Sequence, residues 1–162
     1  MVNDLTLTLF GRTHLNKSMP VKDVLAMLQG LDLLNVGELA EKAIAKKIGV
    51  AQAGRCTPGS DLVNGWEIKH GQARQVSRGA RRCAYVAGLE NKYGLLRVVI
   101  TELLTGRLYF FKIPYEAYQH CVGSTIKFNF DLDGTPRRQH HRTSFRPNFW
   151  DYEVESFDRL CE

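Results

Sequence analysis

"PGSDLVNGWEIKHGQ", residues 58 to 72, has the outline of a β-hairpin, with two short runs on either side of Asn64-Gly65. Leu62, Val63, Trp66 and Ile68 supply its apolar part, and Asp61, Glu67 and Lys69 interrupt it. Glu67 and Lys69 are two apart, so on a strand they share a face. Whether Asp61 joins them depends on the turn. A two-residue type I′ turn at Asn64-Gly65 pairs Val63 with Trp66, Leu62 with Glu67 and Asp61 with Ile68. Asp61 then stands on the face opposite Glu67. A three-residue loop, Val63-Asn64-Gly65, with Gly65 left-handed in a bulge, pairs Leu62 with Trp66 and Asp61 with Glu67. Both turns ask for a positive φ at Gly65, so composition leaves the two registers open.

The second register has an electrostatic consequence. Facing carboxylates with Cβ atoms roughly 5 Å apart repel, and require a cation or a proton. A hard divalent ion such as Mg²⁺ (or Mn²⁺) meets that need, because it takes one or two carboxylates and completes its shell with water and phosphate. The chemistry implied is phosphodiester hydrolysis. Asp61 and Glu67 hold the ion, which activates a water and stabilises developing charge. Lys69 orients or deprotonates the water, or neutralises the transition state. The plainer alternative is an exposed hairpin face whose charges pair across the strands.

Around this stretch the chain has the composition of one folded domain. It has 162 residues, 44% hydrophobic and 24% charged, enough apolar material for a core. No apolar run reaches the 18 or so residues of a membrane span. The start "MVNDLTLTLFGRTH" lacks the pattern of a secretory signal, so an intracellular, cytoplasmic protein is expected. Cys56, Cys83, Cys121 and Cys161 show no C-x-x-C spacing and read as free thiols rather than zinc ligands. The net charge of +5 matters only through where it sits.

"DLTLTLFG" alternates as a strand, and "SMPVKDVLAMLQG" has a helical start at Ser18 and a stop at Gly30. "NVGELAEKAIAKKIG" is the clearest helix. Asn35 caps it, Glu38 can reach back to the cap, and Gly49 closes it. Its expected apolar face is Val36, Leu39, Ala40, Ala43, Ile44 and Ile48. "HGQARQVSRGARRCAYVAG" is ambiguous but has helical character. "GLLRVVITELLTGRLYFFKIP" is a strong hairpin, "PYEAYQHCVG" a short helix begun by Pro114, and "STIKFNFDLDG" a strand. This order predicts an α/β (α+β) domain over residues 1–162, a mixed central sheet with flanking helices. The core spans roughly 35–130, and the basic and aromatic segment 134–162 contacts DNA or forms a dimer. A doubly wound parallel sheet is excluded, because successive strands are too close for crossover helices.

Pro58-Gly59-Ser60-Asp61, followed by Glu67-Ile68-Lys69, resembles the motif of the PD-(D/E)xK nuclease superfamily, whose fold is restriction-endonuclease-like. Families of this kind, Holliday-junction resolvases among them, often carry a G-x-x-A-E helix ahead of the motif. Here "GELAEKAI" supplies Gly37, Ala40 and Glu41. The resemblance implies that Glu41 helps Asp61 and Glu67 to hold metal. Helical geometry favours Glu41 over Glu38, since Glu41 lies beside Ile44 and Ile48. The resemblance covers residues 35 to 118 in outline. The chain departs from it in the short spacer between Asp61 and Glu67, and in the two residues between Pro58 and Asp61.

The expected DNA contacts follow from charge. Arg74, Arg78, Arg81 and Arg82 fall at i, i+4, i+7 and i+8, one basic stripe if the segment is helical, and Gln72 can reach a base or phosphate. "PRRQHHR" offers Arg137, Arg138, His140, His141 and Arg142 in a loop able to enter a groove. The reading is an Mg²⁺-dependent endonuclease acting on double-stranded DNA as a homodimer, with restriction or homing type cleavage. A junction resolvase or repair nuclease is the rival within the class, and a non-catalytic nucleic-acid-binding module the rival outside it.

Overall fold

The computed structural model describes residues 8–9, 12–13, 36–53, 60–76, 81–90, 94–138 and 147–162. The chain divides into two compact units, Met1–Asn35 and Val36–Glu162. In the first, β1 (Thr8–Leu9) pairs antiparallel with β2 (Arg12–Thr13). The helix expected over 18–30, and the cap Asn35, lie outside the described residues.

The second unit is built on a six-stranded mixed sheet with helices on both faces. Its strands are β3 (Glu67–Gln75), β4 (Arg82–Val86), β5 (Leu96–Glu102), β6 (Arg107–Ile113), β7 (Ile126–Phe130) and β8 (Glu153–Val154). Their order is β7-β4-β3-β5-β6-β8, antiparallel except for β3 beside β5. The β5–β6 hairpin forms where its β-branched and aromatic runs predicted. Its turn ends at Gly106, whose φ is +70° and whose N–H donates to Glu102 O at 2.8 Å. The helices are α1 (Val36–Ile48), α2 (Tyr115–Tyr118) and α3 (Phe157–Leu160), with 3₁₀ turns at Gln119–Cys121 and Phe149–Tyr152. Among the described residues, no helix is long and apolar enough to cross a membrane.

Each sheet face carries its own core. On the inner face Ala84, Val86, Val98, Ile100, Phe111, Phe128 and Phe130 pack with α2 and both 3₁₀ turns. Trp150 stands edge-on to Tyr109, Phe111, Phe128 and Phe130 at 5.3–5.6 Å between centroids. The outer face carries a smaller core in which Ile44 and Ala45 of α1 meet Leu62, Ile68, Val99 and Leu160 of α3. The face of α1 is narrower than expected. Ala40, Ile44, Ala45 and Ile48 pack inward, whereas Leu39 is 45% exposed and Ala43 is also exposed. Only a stripe about 140° wide meets the sheet, and Glu41 lies in it, one turn before Ile44 and Ala45.

The segment read as helical is the largest departure. Residues 67–75 continue as β3, and β4 starts at Arg82, so Arg74 opposes Cys83 across a strand pair. No helix carries Arg74, Arg81 and Arg82 on one stripe, and Arg78 lies outside the described residues. Arg82 faces inward and is buried. Its guanidinium pairs with the fully buried Glu102 and donates to Ala73 O at 3.1 Å. A buried, paired guanidinium is a strut of the sheet, which corrects its assignment to a DNA-facing stripe.

Candidate functional site

The turn adopts the three-residue loop. Gly65 N donates to Leu62 O at 3.0 Å, Leu62 N donates to Trp66 O at 3.1 Å, and Gly65 has φ +89°. Leu62 therefore faces Trp66, and Asn64 Oδ1 tightens the loop by accepting from Trp66 N at 3.2 Å. Beyond the turn the chain does not continue as a strand against β3. It bends at Asp61 and pairs with residues 51–53: Ala53 N donates to Asp61 O at 2.8 Å, and Val63 N to Ala51 O at 3.1 Å. The side chain of Asp61 turns back instead, and its Oδ2 accepts from Ile68 N at 2.6 Å. That N–H lies on the edge of β3 away from β5, where β4 has not yet joined, since β4 pairs with β3 only at Arg74 and Gln75. A carboxylate thus serves the edge that a neighbouring strand would otherwise serve.

Glu67 and Lys69 share the inner face, as their spacing requires, and are ion-paired at 2.7 Å. Glu67 is buried at 8% exposure and Lys69 is half-buried. Gly71, on the same face, is packed so closely that an added Cβ would lie 2.9 Å from Ile100 and 3.0 Å from Tyr85 O. Glu41 reaches toward the turn from α1, with Gln52 Nε2 donating to its Oε2 at 3.3 Å. Burial raises the Glu41 carboxyl above the ordinary carboxylate range, and the charge of Asp61 raises it further. The Gln52 hydrogen bond and the ammonium of Lys69 oppose the rise. Glu41 therefore lies within the field of both Asp61 and Lys69.

The three acids do not close into a cage. Among the described residues, no group of three or more His, Cys, Asp or Glu side chains is placed to hold an ion. The cause is local: Asp61 is committed to the β3 edge, and Glu67 to Lys69 on the inner face. Two carboxylates remain, Glu41 and Asp61, and the charge of Asp61 helps to raise the Glu41 carboxyl. That donor set fits a hard divalent cation, which takes one or two protein carboxylates and fills its shell with water and phosphate oxygens.

The candidate DNA contacts are dispersed. Gln72 and Arg74 lie on the outer face of β3, where Arg74 Nη2 donates to Gln72 Oε1 at 2.7 Å. Arg81 is exposed just before β4. Arg137 pairs with Asp131 beside the β7 turn. Arg138 grips Glu153 through two bonds of 2.8 and 2.9 Å and lies 5.3 Å from the Trp150 ring, so it fastens the C-terminal segment to the sheet. His140, His141 and Arg142 lie outside the described residues.

Two residues near the site escaped the sequence reading. Gln52 left no signal, because nothing in a polar loop marks a partner eleven residues back on a helix. Arg97 did leave one: a lone arginine inside the apolar run "LLRVVI" needs a partner when buried. Its guanidinium lies 3.1 Å from the Trp66 ring centroid, and its Nε donates to Leu160 O at 3.0 Å. Burial lowers it to about 10.

No protein-family model matches the chain, and no curated protein matches it. A structural match was found to a bacterial homing endonuclease, I-Ssp6803I. It is 15% identical and covers 73% of this chain and 81% of that one, with a TM-score of 0.38.

Proposed function

We propose that this chain is a metal-dependent DNA endonuclease that hydrolyses phosphodiester bonds, with a site of the PD-(D/E)xK kind on a restriction-endonuclease-like sheet. One observation carries the reading. The three-residue loop delivers the Asp61 carboxylate to the open edge of β3 beside Glu67-x-Lys69, within the field of Glu41. Asp61 and Glu41 are the residues that would hold Mg²⁺ (or Mn²⁺), since a cation relieves their mutual repulsion. When bound, such an ion supplies an activated water and charge stabilisation at the phosphate.

The remaining roles belong to the chain itself. Lys69 offers its ammonium to a phosphate oxygen or orients the attacking water. Glu67 holds that ammonium in place at 2.7 Å. Glu67 would be a further carboxylate for the ion. Gln72, Arg74, Arg81, Arg137 and Arg138 are the candidate contacts to double-stranded DNA among the described residues, with Arg78, His140, His141 and Arg142 outside them. Cutting both strands calls for two such sites, hence a homodimer with restriction or homing type cleavage.

A second reading has its own support. The ion pair of Glu67 with Lys69 at 2.7 Å, in which each charge already has its partner, suits a non-catalytic nucleic-acid-binding module. Supercoiled plasmid incubated with Mg²⁺ or Mn²⁺, and separately with EDTA, decides between the two. Nicked or linear DNA that requires the ion and disappears in Lys69→Ala supports the nuclease. Retarded but intact DNA, equal in the wild type and Lys69→Ala, sinks it. Branched against linear substrate then separates a junction resolvase or repair enzyme from restriction or homing activity.

A further inference from the structure

The outer face of the sheet is covered unevenly. Among the described residues, α1 and α3 pack over the first half of β3 and over β5, β6 and β8. No described helix covers β7, β4 and the second half of β3. On those three strands the side chains opposite the inner core are His70, Gln72 and Arg74, then Cys83 and Tyr85, then Lys127 and Asn129. The pairing sets them in rows: Arg74 with Cys83 and Asn129, then Tyr85 with Lys127. A groove of about 620 Å³ runs between β3 and β4, lined by Gln72, Arg74, Cys83 and Tyr85.

This face has the chemistry of a reader at its exposed positions, Arg74, Tyr85 and Lys127, while Cys83 is buried between them at 3% exposure. It carries two cations, two amides and a phenol, and no Asp or Glu among its seven positions. Its groups are pre-set: Gln72 Oε1 holds the Arg74 guanidinium, Cys83 Sγ donates to Asn129 Oδ1 at 3.4 Å, and Lys127 Nζ lies 5.6 Å from the Tyr85 ring. Tyr85 is 48% exposed, although every inner neighbour on β4 is buried. Adjacent strands lie about 4.8 Å apart, so β7 to β3 spans about 10 Å. A major groove about 12 Å wide admits a two-stranded β-ribbon, and the edge pair β7–β4 carries Tyr85, Lys127 and Asn129 on two strands. Arginine suits the paired acceptors of guanine, and an asparagine amide suits adenine. Arg74 is five residues beyond Lys69 on the same strand, about 16 Å away.

We infer that the outer face of β7–β4–β3, through Arg74, Tyr85, Lys127 and Asn129, reads base edges in the major groove of duplex DNA. The inference deepens the proposed function and rests on it for the nature of the substrate. It gives base reading to the sheet, rather than to the 137–142 segment.

The test is selection of a randomised duplex DNA library by the full chain, read by binding in EDTA and, separately, by cutting with Mg²⁺. The expected result is an enriched motif. Arg74→Ala and Asn129→Ala each relax one position of it by about 10- to 100-fold in discrimination, with the other positions unchanged. Lys127→Ala weakens all sequences alike and lowers the salt slope by about 1. Unchanged melting temperatures show that these surface variants fold, and Lys127→Glu provides a second variant that should abolish enrichment. A motif that is bound but never cut upholds the surface and overturns the catalytic reading. Cutting without base preference, unaltered in all four variants, overturns the surface and leaves the catalytic reading standing. Equal retention of a randomised single-stranded RNA pool, or no enrichment from duplex DNA at all, also overturns it.

Discussion

Replacing Asp61 separates its two roles. Its Oδ2 accepts the Ile68 N–H at 2.6 Å on a strand edge that β4 does not serve. A hydrogen bond to a charged acceptor contributes about 1.5–3 kcal/mol. Asp61→Ala deletes it and should cost about 2 kcal/mol, which at ordinary urea sensitivities moves the midpoint by about 1 M. Asp61→Asn keeps a neutral acceptor, and a neutral bond is roughly half as strong, so the loss falls to about 1 kcal/mol. Relief of the repulsion on Glu41 reduces it further. The two variants should therefore differ in stability yet agree in function. Both should lose Mg²⁺-dependent nicking of plasmid by more than about 100-fold, beyond the loss typical of residues that merely support a ligand. Urea melts followed by fluorescence, and a plasmid assay across an Mg²⁺ series, measure the two arms. Equal destabilisation by Asn and Ala would refute the hydrogen-bond argument. Wild-type cutting by Asp61→Asn would refute the site.

Other outcomes follow from neighbouring groups. Glu41→Gln removes a carboxyl whose folded-state pKa is raised by burial and by Asp61. The stability such a group contributes is present below its unfolded pKa and lost as pH rises through the folded one. The variant should therefore be more stable than the wild type near neutrality, by thermal melting across pH, while losing metal-dependent cutting. His70 is lowered to about 4 by burial and bonds Thr101 Oγ1 at 3.0 Å. Its contribution is complete above about 6.5 and is lost as pH falls toward 4, at most about 3 kcal/mol. His70→Gln should flatten that part of the acid melting curve, and an unchanged curve counts against the burial. Arg82→Met leaves Glu102 buried without its guanidinium and should cost about 3–5 kcal/mol in urea, whereas Arg82→Met with Glu102→Leu should recover much of it. A double variant no better than the single would show that the pair is not the origin of the loss.

The sequence made some elements plain because their side chains alternate between a wet and a dry environment. The β5–β6 hairpin and β7 were legible for that reason, and α1 for its period and its closing Gly49. The turn was legible as a choice of two, and the structure takes the three-residue loop. Its continuation was not legible, because the bend at Asp61 is set by pairing with Ala53, a contact between two loops. β3 and β4 were hidden by a polar outer face, over which no described helix packs at these strands. Gln72 and Arg74 bond each other there, His70 bonds Thr101, and β3 loses its apolar period. The arginines at 74, 81 and 82 then fit helical spacing by coincidence. Arg82 and Glu102 satisfy each other across the sheet, and neither residue announces the other along the chain.

The stack of Arg97 on Trp66 joins two distant parts of the chain. Through one guanidinium, the turn that presents Asp61 and the carbonyl end of α3 share an anchor. Their amide protons should therefore exchange with solvent in a common opening event. Gly65 and Leu62 in the turn should open together with Leu160 and Cys161, rather than fraying as a surface loop and a chain end would separately.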